Sequence, residues 1–122
     1  PKQAWYRAWK KLIEHSPAAF RIRTRANDRY MAGKAGAYDA IFFLGAQCAP
    51  MEKIDKPLFI FTDSCRRLSS QNEFDDSCRF RDEREDREWF ALDGDVYRRA
   101  SRIFTGSRVV KNAISGKRRY WT

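Results

Sequence analysis

The chain is poor in the side chains that hold metals. Histidine occurs once, at His15, and the three cysteines, Cys48, Cys65 and Cys78, show no C-x-x-C spacing. A zinc centre would have to be assembled mostly from scattered thiols. No metal is therefore expected, and the cysteines read as reduced, partly buried residues. No run approaches the roughly 18 apolar residues that a membrane span needs. No signal-peptide pattern opens the chain, and no low-complexity tract interrupts it. At 122 residues the chain is one domain at most. It starts at Pro1 without a methionine and stops at Trp121-Thr122, just after a helical pattern with no stop signal. A fragment of a longer protein is the expectation.

Positive charge is plentiful, with a net +9, but it is segregated. Residues 1–36 carry nine Lys/Arg against two Asp/Glu, residues 37–95 carry eight against fourteen, and residues 96–122 carry eight against none. Basic ends flanking an acidic middle create local fields that draw anionic ligands or surfaces to particular faces. The plainer alternative is a set of solvated helix faces.

Three short apolar runs organise the rest. Pro57-Leu58-Phe59-Ile60-Phe61 sits behind a proline and runs into the polar cluster Thr62-Asp63-Ser64. An unbroken apolar run bounded by turn residues is the pattern of a strand buried on both faces, and proline suits its first position. The segments 38–46 and 100–107 repeat the pattern and end in Gly, Ala or Ser. Helical spacing lies between and around them, which predicts βαβ units and a parallel sheet. Ligands bind at the carboxyl ends of strands in open α/β sheets. Thr62, Asp63 and Ser64 are therefore the first candidates for a site.

Residues 1–36 read as a basic, aromatic helical pair and residues 37–122 as a parallel α/β unit. The first helix spans 2–15, with Trp5, Trp9, Leu12 and Ile13 at helical spacing. Ser16-Pro17 then caps and starts a second, running to about Lys34, with Gly33 and Gly36 as stop signals. Its Arg21, Arg23, Arg25 and Arg29 form a candidate anion or membrane patch. Such a pair either lies on an anionic membrane with its Trp side inward or packs Trp5, Trp9 and Phe20 against the sheet. Packing is the commoner outcome. The segment 65–81 looks irregular, and loops of that length in α/β units tend to be functional. Residues 82–99 form a helix with Trp89, Phe90, Val96 and Tyr97 as its apolar stripe. Ser107 caps a last helix, with Val109, Val110 and Ala113 inward. Three parallel strands bury little and leave two edges, so part of a larger doubly wound sheet is expected.

Three pieces in this order carry a resemblance: Tyr38-Asp39-Ala40-Ile41-Phe42-Phe43, Lys56 through Asp63, and above all Asp95-Val96-Tyr97-Arg98-Arg99-Ala100 continuing to Val110. The last combines an acidic helix residue, a Tyr-Arg-x-Ala-like turn, a short strand and a helix-capping Ser. Together residues 37–115 resemble the N-terminal domain of GT-B-fold glycosyltransferases, in the retaining group that includes sucrose synthases and many bacterial glycan transferases. The resemblance implies a Rossmann-like three-layer parallel sheet, about three strands with flanking helices, as an incomplete GT-B N-terminal domain. It implies the acceptor side of an enzyme that moves a sugar from a nucleotide-sugar to a glycan or lipid-linked acceptor, inactive alone. The nucleotide-sugar is a co-substrate held mainly by a C-terminal domain, and no cofactor is implied. That domain's acidic pair, eight residues apart, has no counterpart in context here, although Asp75 with Glu83 and Glu85 with Asp93 share the spacing. The family's Gly-rich first strand is also absent.

Under this reading Asp63 is the catalytic candidate, orienting or deprotonating an acceptor hydroxyl. Relatives carry a His or a His-Asp pair near that point, which is a departure, and a turn- or helix-capping carboxylate is the competing role. Thr62, Ser64, Gly106 and Ser107 would line the cleft, with Gly45 and Gln47 on its other wall. Ser107 and the start of its helix would take phosphate oxygens or an acceptor hydroxyl. The expected location is cytoplasmic, peripheral to a membrane. The alternative is a basic α/β binding module for nucleic acid or an anionic membrane surface, with the 117–119 cluster, Trp5 and Trp9 contributing. Nucleic acid is the weaker partner, since no motif for it is present and the acidic middle repels a polyanion.

Overall fold

The computed structural model describes residues 2–14, 16–49, 55–70 and 82–115. In chain order the elements are α1 (Lys2–Glu14), α2 (Pro17–Met31), a 3-10 turn (Ala35–Ala37), β1 (Ile41–Leu44), β2 (Leu58–Thr62), α3 (Arg66–Ser70), α4 (Glu83–Arg99), β3 (Arg102–Thr105) and α5 (Arg108–Ser115). The strands form one sheet in the order β1-β2-β3, both pairings parallel. The parallel α/β reading therefore holds.

The register fixes which side chains share a face. Ile41, Leu58 and Phe43, Ile60, Ile103 lie in successive rows of one face, and Phe42, Phe59, Arg102 and Leu44, Phe61, Phe104 lie in rows of the other. On the first face Leu58 and Ile60 are buried in one cluster with Phe20 of α2, Trp89, Val96 and Tyr97 of α4, and Val110 and Ile114 of α5. Phe20 meets Trp89 edge-on, with ring centroids 5.5 Å apart, a favoured aromatic geometry. Every helix that contributes to the core does so through this one cluster.

The second face is uncovered by the described residues. Phe42 is 58% exposed and Leu44 79%, with Phe61 and Phe104 also exposed and Phe59 half-buried. This corrects the expectation of a central strand buried on both faces: along β2 the residues alternate between covered and uncovered sides. It also qualifies the three-layer expectation, because among the described residues no helix covers that side. The uninterrupted apolar run is thus two half-faces, one of them aromatic and facing outward.

Local chemistry explains the boundaries. Ser16 Oγ accepts from Ala19 N at 3.1 Å, and Pro17 occupies the first turn of α2. α2 ends at Met31, three residues before the expected end near Lys34, with the stop signal Gly33 at φ 76° in the left-handed region. Asp82 Oδ1 accepts from Glu85 N at 2.8 Å and caps α4. Three acids in the first turn and Arg98 and Arg99 in the last complement the helix dipole. Ser107 Oγ accepts from Val110 N at 3.3 Å and caps α5 as expected.

Other expectations are corrected. Trp5 and Trp9 do not pack on the sheet; both are exposed and stack on each other. Only Phe20 of that trio enters the core, because α1 touches α2 rather than the strands. Val109 points outward, and Val110 and Ile114 take the inward positions of α5. The segment after β2 opens with a helical turn, α3, where irregular chain was expected. The first strand is shorter than 38–44, since the 3-10 turn precedes it. His15, Cys78, Trp121, the 71–81 segment with Asp75, and the 117–119 cluster lie outside the described residues.

One-sided burial has a measurable signature. Ile60→Ala should cost about 2–5 kcal/mol of unfolding free energy, whereas Phe42→Thr should change it by no more than about 0.5 kcal/mol. Denaturant titration of both variants checks this, and equal costs would mean that the second face is covered in solution.

Candidate functional site

The carboxyl ends of β1 and β2 open into a cleft of about 360 Å³. That volume lies at the lower end of the range for small-molecule sites. One wall is the turn after β1, where Gly45 adopts φ 79° and its N–H donates to Phe61 O at 2.8 Å. A side chain at that φ would be strained, so glycine is what lets β1 turn away while still pinned to β2. The floor is the end of β2 with Thr62, Asp63 and Ser64. The back is α4, which presents Trp89, Asp93 and Tyr97 on one stripe at four-residue spacing.

The polar groups of the floor are held by their own turn. Thr62 Oγ1 donates to Ser64 O, and the hydroxyls of Ser64 and Ser69 lie 3.0 Å apart. The wall is tied to α2: Arg23 Nε donates to Gln47 O at 2.9 Å, and Ala49 N donates to Thr24 Oγ1 at 2.9 Å. The same turn chemistry recurs at the end of β3, where Thr105 Oγ1 donates to Ser107 O at 3.2 Å. Both strands thus end in a Thr-x-Ser turn at the same edge of the sheet.

Five of the seven sequence candidates meet here: Gly45, Gln47, Thr62, Asp63 and Ser64 all line the cleft. Asp63 is exposed at its rim, and its carboxylate takes no ion pair or capping hydrogen bond from the described residues. The competing capping role therefore has no support among them. Gly106 and Ser107 share the sheet edge, since Thr62 pairs in register with Thr105, but they are not part of the lining. Ser107 spends its side-chain oxygen on Val110 N and its carbonyl on Lys111 N. The four-arginine patch is also not a unit. Arg21 pairs with Glu88 at 2.5 Å and Arg23 holds the cleft wall, which leaves Arg25 and Arg29 exposed on α2.

Asp93 and Tyr97 were not foreseen as site residues. Asp93 is buried, and the signal for it was an acid placed midway between Trp89 and Tyr97 on an otherwise apolar stripe. Burial, reinforced by the neighbouring Asp93 carboxylate and Cys65, pushes the Tyr97 phenol far above its ordinary value, against a smaller pull from Thr62. Burial likewise raises the thiols of Cys65 and Cys48, the latter against an opposing Arg23 charge. Both are free cysteines without activation as nucleophiles. Among the described residues no group of three or more His, Cys, Asp or Glu side chains could hold a metal ion.

The lining combines two carboxylates, several hydroxyls and the aromatic bodies of Trp89 and Phe61, with no lysine or arginine among the described residues. Such a set offers hydrogen-bond acceptors and an apolar face, and no counter-charge for a phosphate. In comparisons with known proteins, the chain matches no family model, no curated protein and no solved structure. No helix is long and apolar enough to cross a membrane among the described residues.

Because Tyr97 stays protonated in the fold while an unfolded tyrosine ionises near pH ~10, the unfolded state binds fewer protons above that point. Stability should therefore fall as pH rises. In Tyr97→Phe the loss between pH ~9 and ~11 should be smaller than in the parent chain, measured by denaturant unfolding across that range. An unchanged alkaline slope would contradict the buried, protonated phenol.

Proposed function

We propose that the chain is the acceptor-side part of a glycosyltransferase, binding a neutral, hydroxyl-rich acceptor in the cleft at the carboxyl edge of the sheet. The observation that carries this reading is the composition of the cleft: Asp63 and Asp93 among hydroxyls and aromatic rings, with no cation from the described residues. Carboxylates accept strongly from sugar hydroxyls, while the exposed ring of Phe61 at the cleft edge suits the apolar face of a pyranose ring. The sequence resemblance to GT-B N-terminal domains supports the same assignment. It directs attention to Gly45, Gln47, Thr62, Asp63 and Ser64 independently of the cleft.

In the proposed reaction a carboxylate at the rim takes the proton of an acceptor hydroxyl as its oxygen bonds to the anomeric carbon of the donor sugar. The bond from that carbon to the nucleoside diphosphate breaks, and the diphosphate leaves with the electron pair. Asp63 is the group with the exposure and position for this step. The diphosphate of a nucleotide-sugar needs cationic or amide-rich partners, which this cleft does not offer among the described residues. The donor accordingly belongs to another part of the enzyme.

The experiment is a titration of the isotope-labelled chain with neutral mono- and disaccharides, read by amide chemical-shift changes. Binding sugars should perturb Gly45, Gln47, Asp63 and Ser64 together, and Asp63→Asn should weaken that binding about tenfold or more. Perturbations confined to other surfaces, or a cleft that answers only to free nucleotide, would overturn the reading.

A further inference from the structure

Outside the open sheet face, α1 carries four exposed large apolar side chains on one helix. Trp5 is 68% exposed, Tyr6 60%, Trp9 50% and Leu12 55%, and no described side chain of this helix is buried. At 100° per residue these four fall within about 120° of the helix circumference. Arg7 and Lys10 lie on the remaining arc, and Lys2 stands at the free end of the stripe. Glu14 is the only acid in the helix. The Trp5 and Trp9 rings stack with centroids 5.8 Å apart and planes 7° from parallel. On α2, Ile22 and Tyr30 are also exposed, beside exposed Arg25 and Arg29.

A water-exposed stripe of this kind is costly unless something covers it. A solvated basic helix would not concentrate Trp, Trp, Tyr and Leu on one side. The stripe does not join the core: the larger contact of α1 is with α2, and only Leu12, at its end, also borders a shallow cleft with Arg84 and Glu88 of α4. We propose that α1 is an interfacial helix that docks on an anionic lipid surface, with Trp5, Trp9 and Leu12 in the acyl boundary and the basic arc toward the headgroups. Tryptophan and tyrosine are the side chains best suited to that boundary, and a polar arc rich in Lys and Arg matches anionic headgroups. Nucleic acid rewards the charge but not the burial of Leu12. This surface is separate from the cleft, and its fate does not depend on the acceptor reading.

The test uses the whole 122-residue chain with vesicles of phosphatidylcholine, alone or doped with phosphatidylglycerol, followed by flotation and by tryptophan emission. The anionic vesicles should bind the chain, shift its emission to the blue, and allow quenching by brominated acyl chains. Binding should weaken as salt rises. The double variant Trp5→Ala/Trp9→Ala should lose about tenfold or more of the partitioning, with an unchanged unfolding midpoint because both side chains are exposed. Arg7→Glu/Lys10→Glu should abolish the preference for anionic lipid. Absence of vesicle binding, equal binding to both compositions, or full binding by the tryptophan double variant would overturn the proposal. So would binding to RNA lost in the same variants, or a dimer that the tryptophan variant dissolves.

Discussion

Burial of Leu58 and Ile60 against Phe20, Trp89 and Val96 is the interaction from which the remaining features follow. β2 is the middle strand, so it takes ladder bonds on both sides, and its inward residues are the most completely covered in the sheet. Anchoring this strand fixes the height at which Thr62, Asp63 and Ser64 emerge. Anchoring α4 on the same residues fixes where Trp89, Asp93 and Tyr97 stand opposite them. The cleft is the gap left when a helix packs along a strand and the strand ends in a polar turn. Its two carboxylates differ accordingly: Asp93 is buried with the helix, and Asp63 is exposed with the turn.

The sheet is asymmetric. One face joins all the core-forming helices, and the other presents Phe42, Leu44, Phe59, Phe61 and Phe104 in two rows broken only by Arg102. The strands run parallel in the order β1-β2-β3, and the right-handed connection that parallel strands favour would carry consecutive crossovers to one side of such a sheet. An open face is what that topology would leave. It also explains why β2 reads as a doubly buried strand: the residues are apolar on both faces, and only the helices distinguish the two.

Much of the fold was legible in the sequence because the signals were local. Pro57 before an apolar run, Asp82 and Ser107 at helix starts, and Ser16-Pro17 between helices each satisfy a backbone requirement that the neighbouring residues alone define. Five cleft residues were legible for the same reason, since a parallel strand delivers whatever follows it to the carboxyl edge. Features set by tertiary packing were not legible. Trp5 and Trp9 have the spacing of a core stripe, yet α1 packs beside α2 and away from the strands. Val109 and Val110 are equivalent by composition, and only the roll of α5 on the sheet separates them. Asp93 reads as a solvated acid until Trp89 and Tyr97 are seen to face the cleft with it, and Ser107 reads both as a cap and as a ligand group until its side-chain oxygen is found spent on Val110 N.

The central claim is that β2 pairs in parallel with both neighbours, so that three strand ends share one edge. Nuclear Overhauser contacts in the labelled chain test it directly. Contacts linking Phe43 with Ile60 and Ile60 with Ile103, together with Leu44–Phe61 and Phe61–Phe104, are the result this structure predicts. Contacts that run in opposite order along either pair, joining Ile41 to the Thr62 end of β2 or Arg102 to the same end, would contradict it.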